Sequence, residues 1–193
     1  NCHHHVNSAP YFQIIEFAFK YNCLYYNIGY MKNNRLEASI IMTDNLLSKQ
    51  LDALLFNEHN PVSNLANASA LLYSSLKDIN WAGFYLYDEQ TDLLDLGPFQ
   101  GKVACMHIKN GTGVCGTAFS QRKALRVANV HEFPGHIACD SASNSEIVIP
   151  LIKDNQMIGV LDIDSPSKNR FSKEDEKALS EFVEVLLKNT KWS

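Results

Sequence analysis

The apolar residues of the chain change period twice. Leu47, Leu51, Leu54 and Leu55 recur at three- and four-residue steps behind Thr43 and Asp44, either of which can cap a helix, so the stretch after Met42 predicts an amphipathic helix. Leu65, Ala68 or Ser69, Leu72 and Leu76 repeat that spacing and predict a second helix over Ser63–Leu76, with Asn80 as its stop. The period then shortens. WAGFYLY (81–87) and LLDL (93–96) flank the polar run DEQTD, and EIVIPLI (146–152) and MIGVLDID (157–164) flank KDNQ. Both pairs read as hairpins whose four strands form a sheet. At the end, Ser172 stands three residues before Asp175 and ahead of Leu179, Phe182, Val183, Leu186 and Leu187, which predicts a capped amphipathic helix. Helices first, strands in the middle and a helix last give an α+β domain with helices segregated against an antiparallel sheet.

Between the hairpins lie about fifty residues that hold GTGVCGTAF, a strand candidate at ALRV and the loop NVHEFPGHIACDSASNS. Loops of that length inside a compact domain usually serve function. The first 41 residues differ in character. They open on NCHHH and contain 8 of the 20 aromatic residues with few charges, a tag-like composition. Residues 1–41 therefore read as an N-terminal extension of foreign origin and 42–193 as the working domain, against the plainer reading that residues 11–30 form an ordinary packed helix. His3, His4 and His5 read as a tag remnant before they read as metal ligands.

At 193 residues, 46% apolar and 20% charged, the chain can bury a core without staples. Its net charge of -4 disfavours nucleic acid and anionic membrane as partners. The best apolar stretch, IIEFAFKYNCLYYNIGYM, carries Glu16, Lys20 and Asn22 and so does not make a membrane span, and no secretory signal is evident. Five cysteines without regular spacing fit a reducing, cytoplasmic compartment in which thiols are working groups.

Cys105, Cys115 and Cys139 lie in or beside the central irregular region. For Cys115, in VCGTAF, packing and chemistry weigh equally. Cys139 sits in the polar loop HIACDSASNS, where a small hydrophobe gains little by burial, and this favours a reactive thiol. His136 lies three residues away and would lower its pKa if near in space. Zinc is the competing use of Cys105, His107, Cys115, His131, His136 and Cys139, but only His131 and His136 approach a structural-zinc spacing. A second constellation is acidic. Asp162 and Asp164 alternate with Leu161 and Ile163, so both acids share one face of a strand, and Glu146 begins the neighbouring one. A solvated surface is the usual reading of acids. In strands this apolar, however, their repulsion calls for a proton or a bound ammonium group.

The runs NWAGFYLY, LGPFQGKVACMHIKNGTGVCGTAF, RVANVHEFPGHIACDSASNSEIVIPL and IGVLDIDSPSKNRFSKEDE resemble the free methionine-(R)-sulfoxide reductases over about residues 42–188. The resemblance implies a GAF fold, with a six-stranded antiparallel sheet, helices on one side and a closed ligand pocket on the other, commonly dimeric. It implies Cys139 as nucleophile, Cys105 as principal resolving thiol and Cys115 as an auxiliary partner. It implies Glu146, Asp162 and Asp164 around the substrate, with Trp81 and Tyr85 packed about its methyl group and side chain, although spacing alone would make these two plain core aromatics. Thioredoxin would recycle the enzyme, and neither metal nor organic cofactor is needed. The reading from another class is a ligand-binding GAF sensor, for which NRFSKEDE is a faint signature; a lone sensor has no need of three thiols. If residues 1–41 are dispensable, a chain beginning at Met42 will fold and reduce substrate at the full-length rate. Aggregation or inactivity of that truncation would move the boundary.

Overall fold

The computed structural model describes residues 46–135 and 141–192, which fall within one compact unit, Asp44–Ser193. Six strands form one antiparallel sheet: β1 (Trp81–Asp88), β2 (Leu93–Gly101), β3 (His107–Lys109), β4 (Leu125–Val127), β5 (Ser145–Lys153) and β6 (Gln156–Ser165). Their order is β3-β2-β1-β6-β5-β4. The helices are α1 (residues 46–54), α2 (Pro61–Ser75), α3 (Gly113–Gln121) and α4 (Lys173–Asn189). The GAF architecture expected from the sequence is thus present, with both predicted hairpins, β1–β2 and β5–β6, at its centre.

Local chemistry explains most boundaries. Asn60 caps α2 by accepting the Ser63 N–H, and Pro61 fills the first position, where a missing N–H costs nothing. The Ser172–Asp175 capping box forms as predicted at the start of α4. The tight β5–β6 turn runs through Asp154 and Asn155, both in the left-handed region that a two-residue hairpin demands.

Alternation along the central strands divides the domain into two layers. Ala82, Phe84, Ile147, Ile149, Leu151, Leu161 and Ile163 point to one face, where they pack with Leu47, Leu51 and Leu55 of the N-terminal helical segment, Leu65, Ala68 and Leu72 of α2, and Leu179, Phe182, Val183 and Leu186 of α4. Trp81, Tyr85, Val148 and Val160 point to the other, under Val114, Cys115, Ala118 and Phe119 of α3. Helices therefore cover both faces, which corrects the one-sided arrangement expected. The central segment is likewise more regular than its sequence suggested, because it contains β3, α3 and a 3-10 turn at Val130–Glu132 besides β4. Helix α3 hides in sequence behind two glycines of low helix propensity. Gly116 is there for fit, since a Cβ would stand 2.4 Å from the Lys109 carbonyl oxygen of β3.

Leu54 also departs from expectation. It is 42% exposed, whereas Leu51 is 0% exposed, since Leu47, Leu51 and Leu55 already complete the apolar stripe. Leu51→Ala should therefore cost about 2–5 kcal/mol in chemical denaturation and Leu54→Ala within about 0.5 kcal/mol. Equal losses would show that the N-terminal helix does not dock by this face.

Candidate functional site

Strand register builds the site. Glu146 on β5 stands opposite Asp164 on β6, which stands opposite Trp81 on β1; in the next same-face row Val148, Asp162 and Gly83 are aligned. Residues directly opposite share a face, so the three acids, Trp81 and Tyr85 all belong to the layer beneath α3. Leu161 and Ile163 turn the other way into the main core, as the alternation in LDID predicted.

Glu146 and Asp162 are only 6% exposed each. Burial is the first cause that drives both carboxyl groups toward their neutral form. The charges of Asp162 and Asp164 push Glu146 further, well above the ordinary carboxylate range. Asp162 is raised to about 7, held down somewhat by hydrogen bonding from Cys115, Glu146 and the Ile163 backbone. The two acids titrate as a pair and retain a proton where isolated carboxyls would have lost it. Cys115 completes the cluster. Its thiol, buried on α3, lies 3.7 Å from Glu146 Oε1 in donor geometry, and burial followed by the Asp162 charge keeps it protonated. Such a thiol is a poor nucleophile and a good proton holder.

Trp81 lies between Phe99 and Tyr85, with ring centroids 5.3 and 5.9 Å away. Gly83 makes this possible: a Cβ there would stand 2.6 Å from the Trp81 ring and 2.3 Å from the Phe99 Cβ. The two aromatics also reach the segment between β2 and β3. Trp81 Nε1–H donates to the Lys102 carbonyl at 3.1 Å, and Tyr85 O–H donates to the Cys105 carbonyl at 3.1 Å. Cys105 is disulfide-bonded, while Cys115 is free. Val103 and Met106, on either side of Cys105, are exposed.

Cys139 and His136 lie outside the described residues, as does the N-terminal extension. The downstream end of their loop is tied to the sheet by residues that spacing did not single out. Asn144 N–H donates to Ser165 O at 2.7 Å, Asn144 O accepts from Val130 N–H, and the Asn144 side chain donates to Pro166 O. Asn80 Nδ2 donates to Ser143 Oγ. In sequence these residues are indistinguishable from any polar loop. Of the histidines in the zinc reading, His107 and His131 are otherwise engaged, His107 with Asp95 at 2.6 Å and His131 with Asn144 at 3.1 Å. Among the described residues they join no metal-capable cluster.

Residues 53–186 match the GAF domain model. The chain is 57% identical to Protein YtsP of Bacillus subtilis over 74% of its own length and 88% of that protein's. It is 56% identical to the free methionine-R-sulfoxide reductase of Escherichia coli over 74% of its length and 85% of that enzyme's. The chain belongs to the free methionine-R-sulfoxide reductase family of GAF domains. Its fold agrees. The structure of the Neisseria meningitidis free methionine-R-sulfoxide reductase in complex with its substrate superposes with a TM-score of 0.73 at 41% identity, over 76% of this chain and 87% of that one.

Membership in an enzyme family gives the buried acids a reason to persist despite their cost. Asp162 titrates near 7 in the folded domain and near 3.8 ordinarily. Between these values the native state holds protons that the unfolded chain has released, so folding weakens as pH rises from about 4 to about 7. Asp162→Asn or Glu146→Gln should therefore raise Tm at pH 8 by on the order of 3–8 °C and by little near pH 4. A lower Tm for both variants at pH 8 would contradict the forced burial of these charges.

Proposed function

We propose that this protein reduces free methionine-(R)-sulfoxide to methionine, with Cys139 as nucleophile, Cys105 as resolving thiol and the buried acids as proton source and ammonium site. The observation that carries the reading is the pair Glu146 and Asp162, buried together on the sheet face that carries the Trp81–Tyr85 stack, in a chain 56% identical to a free methionine-R-sulfoxide reductase. Sulfoxide reduction needs such a group. A thiolate attacking sulfur must expel the oxygen, and oxygen leaves only once protonated.

The Cys139 thiolate attacks the sulfoxide sulfur while the carboxyl pair delivers a proton to the oxygen, and Glu146, the acid with two charged neighbours, is the donor. Loss of the doubly protonated oxygen as water leaves a sulfonium bonded to the Cys139 sulfur. Water then attacks that cysteine sulfur, the S–S bond breaks with its electron pair going to methionine, one proton is returned, and Cys139 remains as a sulfenic acid. Cys105 attacks that sulfur, expelling water and closing a disulfide; an external dithiol of the thioredoxin type then opens it by exchange. The disulfide-bonded state of Cys105, the free state of Cys115 and the exposed position of Val103 and Met106 support Cys105 as the resolving group in reach of a partner protein. Cys115, first expected as an auxiliary resolving thiol, fits better as a member of the proton-sharing cluster. Asp162 and Asp164 would hold the free α-ammonium, which requires a free amino acid and refuses a methionine sulfoxide within a chain. The enzyme would work in the cytoplasm, commonly as a dimer; among the described residues no helix is long and apolar enough to cross a membrane.

Turnover of free methionine-(R)-sulfoxide, coupled to thioredoxin and its reductase, tests this reading. Cys139→Ser should fold and fall below a tenth of wild-type activity, and Cys105→Ser should release one equivalent of methionine and then stall with thioredoxin. Glu146→Gln should lower kcat/KM by about 10²-fold or more, and N-acetylated substrate should be used poorly. Wild-type rates from the Glu146 variant together with equal use of free and acetylated substrate would reduce the acids to bystanders.

A further inference from the structure

The acidic cluster has the donor set of a metal site as well as that of a proton store. The Cys115 sulfur and one oxygen each of Glu146 and Asp162 all lie within 4.8 Å of one another, and all three side chains are buried. In a tetrahedral zinc site, bonds of about 2.3 Å to sulfur and 2.0–2.2 Å to oxygen place those two donors about 3.6 Å apart. Cys115 Sγ and Glu146 Oε1 are 3.7 Å apart, so this pair already has the spacing of two zinc donors.

An independent observation concerns Asp162. Among the described residues its Oδ1 has no hydrogen-bond partner, and the residue, 6% exposed, already contributes to the cluster. A buried acceptor with nothing to accept from costs free energy, and a positive centre is what relieves it. Among the described residues no basic side chain acts on the Glu146 and Asp162 carboxyls. Trp81, Tyr85, Val148 and Val160 line the same layer, together with Val114, Ala118 and Phe119 of α3, and Asp164 adds a further negative charge beside Glu146.

We propose that Cys115, Glu146 and Asp162 form a three-donor site for a borderline-soft divalent cation of the zinc type, which occupies the cluster in competition with the amino acid's ammonium group. Binding displaces the protons that the thiol and the carboxyl pair share and substitutes one dication for them. A thiolate with two carboxylates suits Zn²⁺ or Co²⁺ over Mg²⁺ and Ca²⁺, which take oxygen alone. The fourth position is open to water or to Asp164. The consequence is inhibition, because the cation occupies Asp162, one of the two acids that would hold the ammonium group. This competition rests on the reductase reading; the binding of the cation does not.

Cobalt is the probe, since its bond to a thiolate produces a sulfur-to-metal charge-transfer absorption that histidine and carboxylate ligation lack. Full-length protein with Cys105 in its disulfide should take up Co²⁺ with such a band, displaced by Zn²⁺ and not by Mg²⁺. The N-terminal thiols Cys2, beside the His3–His5 run, and Cys23 can also give such a band, so every protein compared carries Cys2→Ser and Cys23→Ser. The Cys115→Ser variant should lose that band, and Asp162→Asn should weaken Co²⁺ binding about tenfold or more. An absorption of equal size with Cys115 present and with Cys115→Ser would overturn the site, as would undiminished affinity in the Asp162 variant. Free methionine should displace the cobalt; a band that depends on Cys115 but is untouched by saturating methionine would leave the metal site standing and remove its overlap with substrate.

Discussion

Two carboxyl groups, Glu146 and Asp162, are buried on one face of a β-sheet, close enough that ionising one raises the cost of ionising the other. Much of the site follows from keeping them together. Register between β5 and β6 fixes their rows, Cys115 descends from α3 to donate toward Glu146, and the Trp81–Tyr85 stack closes the same layer. The opposite face carries the ordinary work of folding, with the N-terminal helical segment, α2 and α4 packed on a continuous apolar core. This division lets the domain tolerate a destabilised cluster on one side because the other side is sound.

The same arrangement links the acid pair to the segment that holds Cys105. Tyr85, one of the aromatic pair on the same sheet face as the acids, fixes the backbone of Cys105 through its hydroxyl, and Trp81 fixes the preceding Lys102. A change in the aromatic stack therefore reaches both the carboxyls and the segment that holds Cys105. Gly83 belongs to that stack although it contributes no side chain, because the space it leaves is the space the indole fills.

The sequence disclosed those features that depend on period. Alternation in LDID placed Asp162 and Asp164 opposite to Leu161 and Ile163, and the Ser172 capping box located α4 within a residue. It concealed those that depend on distant packing. Helix α3 was obscured by Gly113 and Gly116, β3 is only three residues long, and the exposure of Leu54 follows from a stripe already complete without it. Cys115 is the instructive case. Its spacing left packing and chemistry equally weighted, and only the distance to Glu146 assigns it to the acid cluster. The anchoring role of Asn144 had no signal at all in a loop rich in serine and asparagine.

The central claim is that the Glu146–Asp162 pair keeps a proton in the folded domain at neutral pH. Infrared difference spectroscopy across a pH titration reads this directly, because a protonated carboxyl has a C=O stretch distinct from that of a carboxylate. A carboxylic-acid band persisting at pH 7 in wild type, bleaching as pH rises further and missing from the Glu146→Gln, Asp162→Asn double variant, is the predicted result. Complete loss of every such band by about pH 5, where ordinary carboxyls have already ionised, would contradict the account.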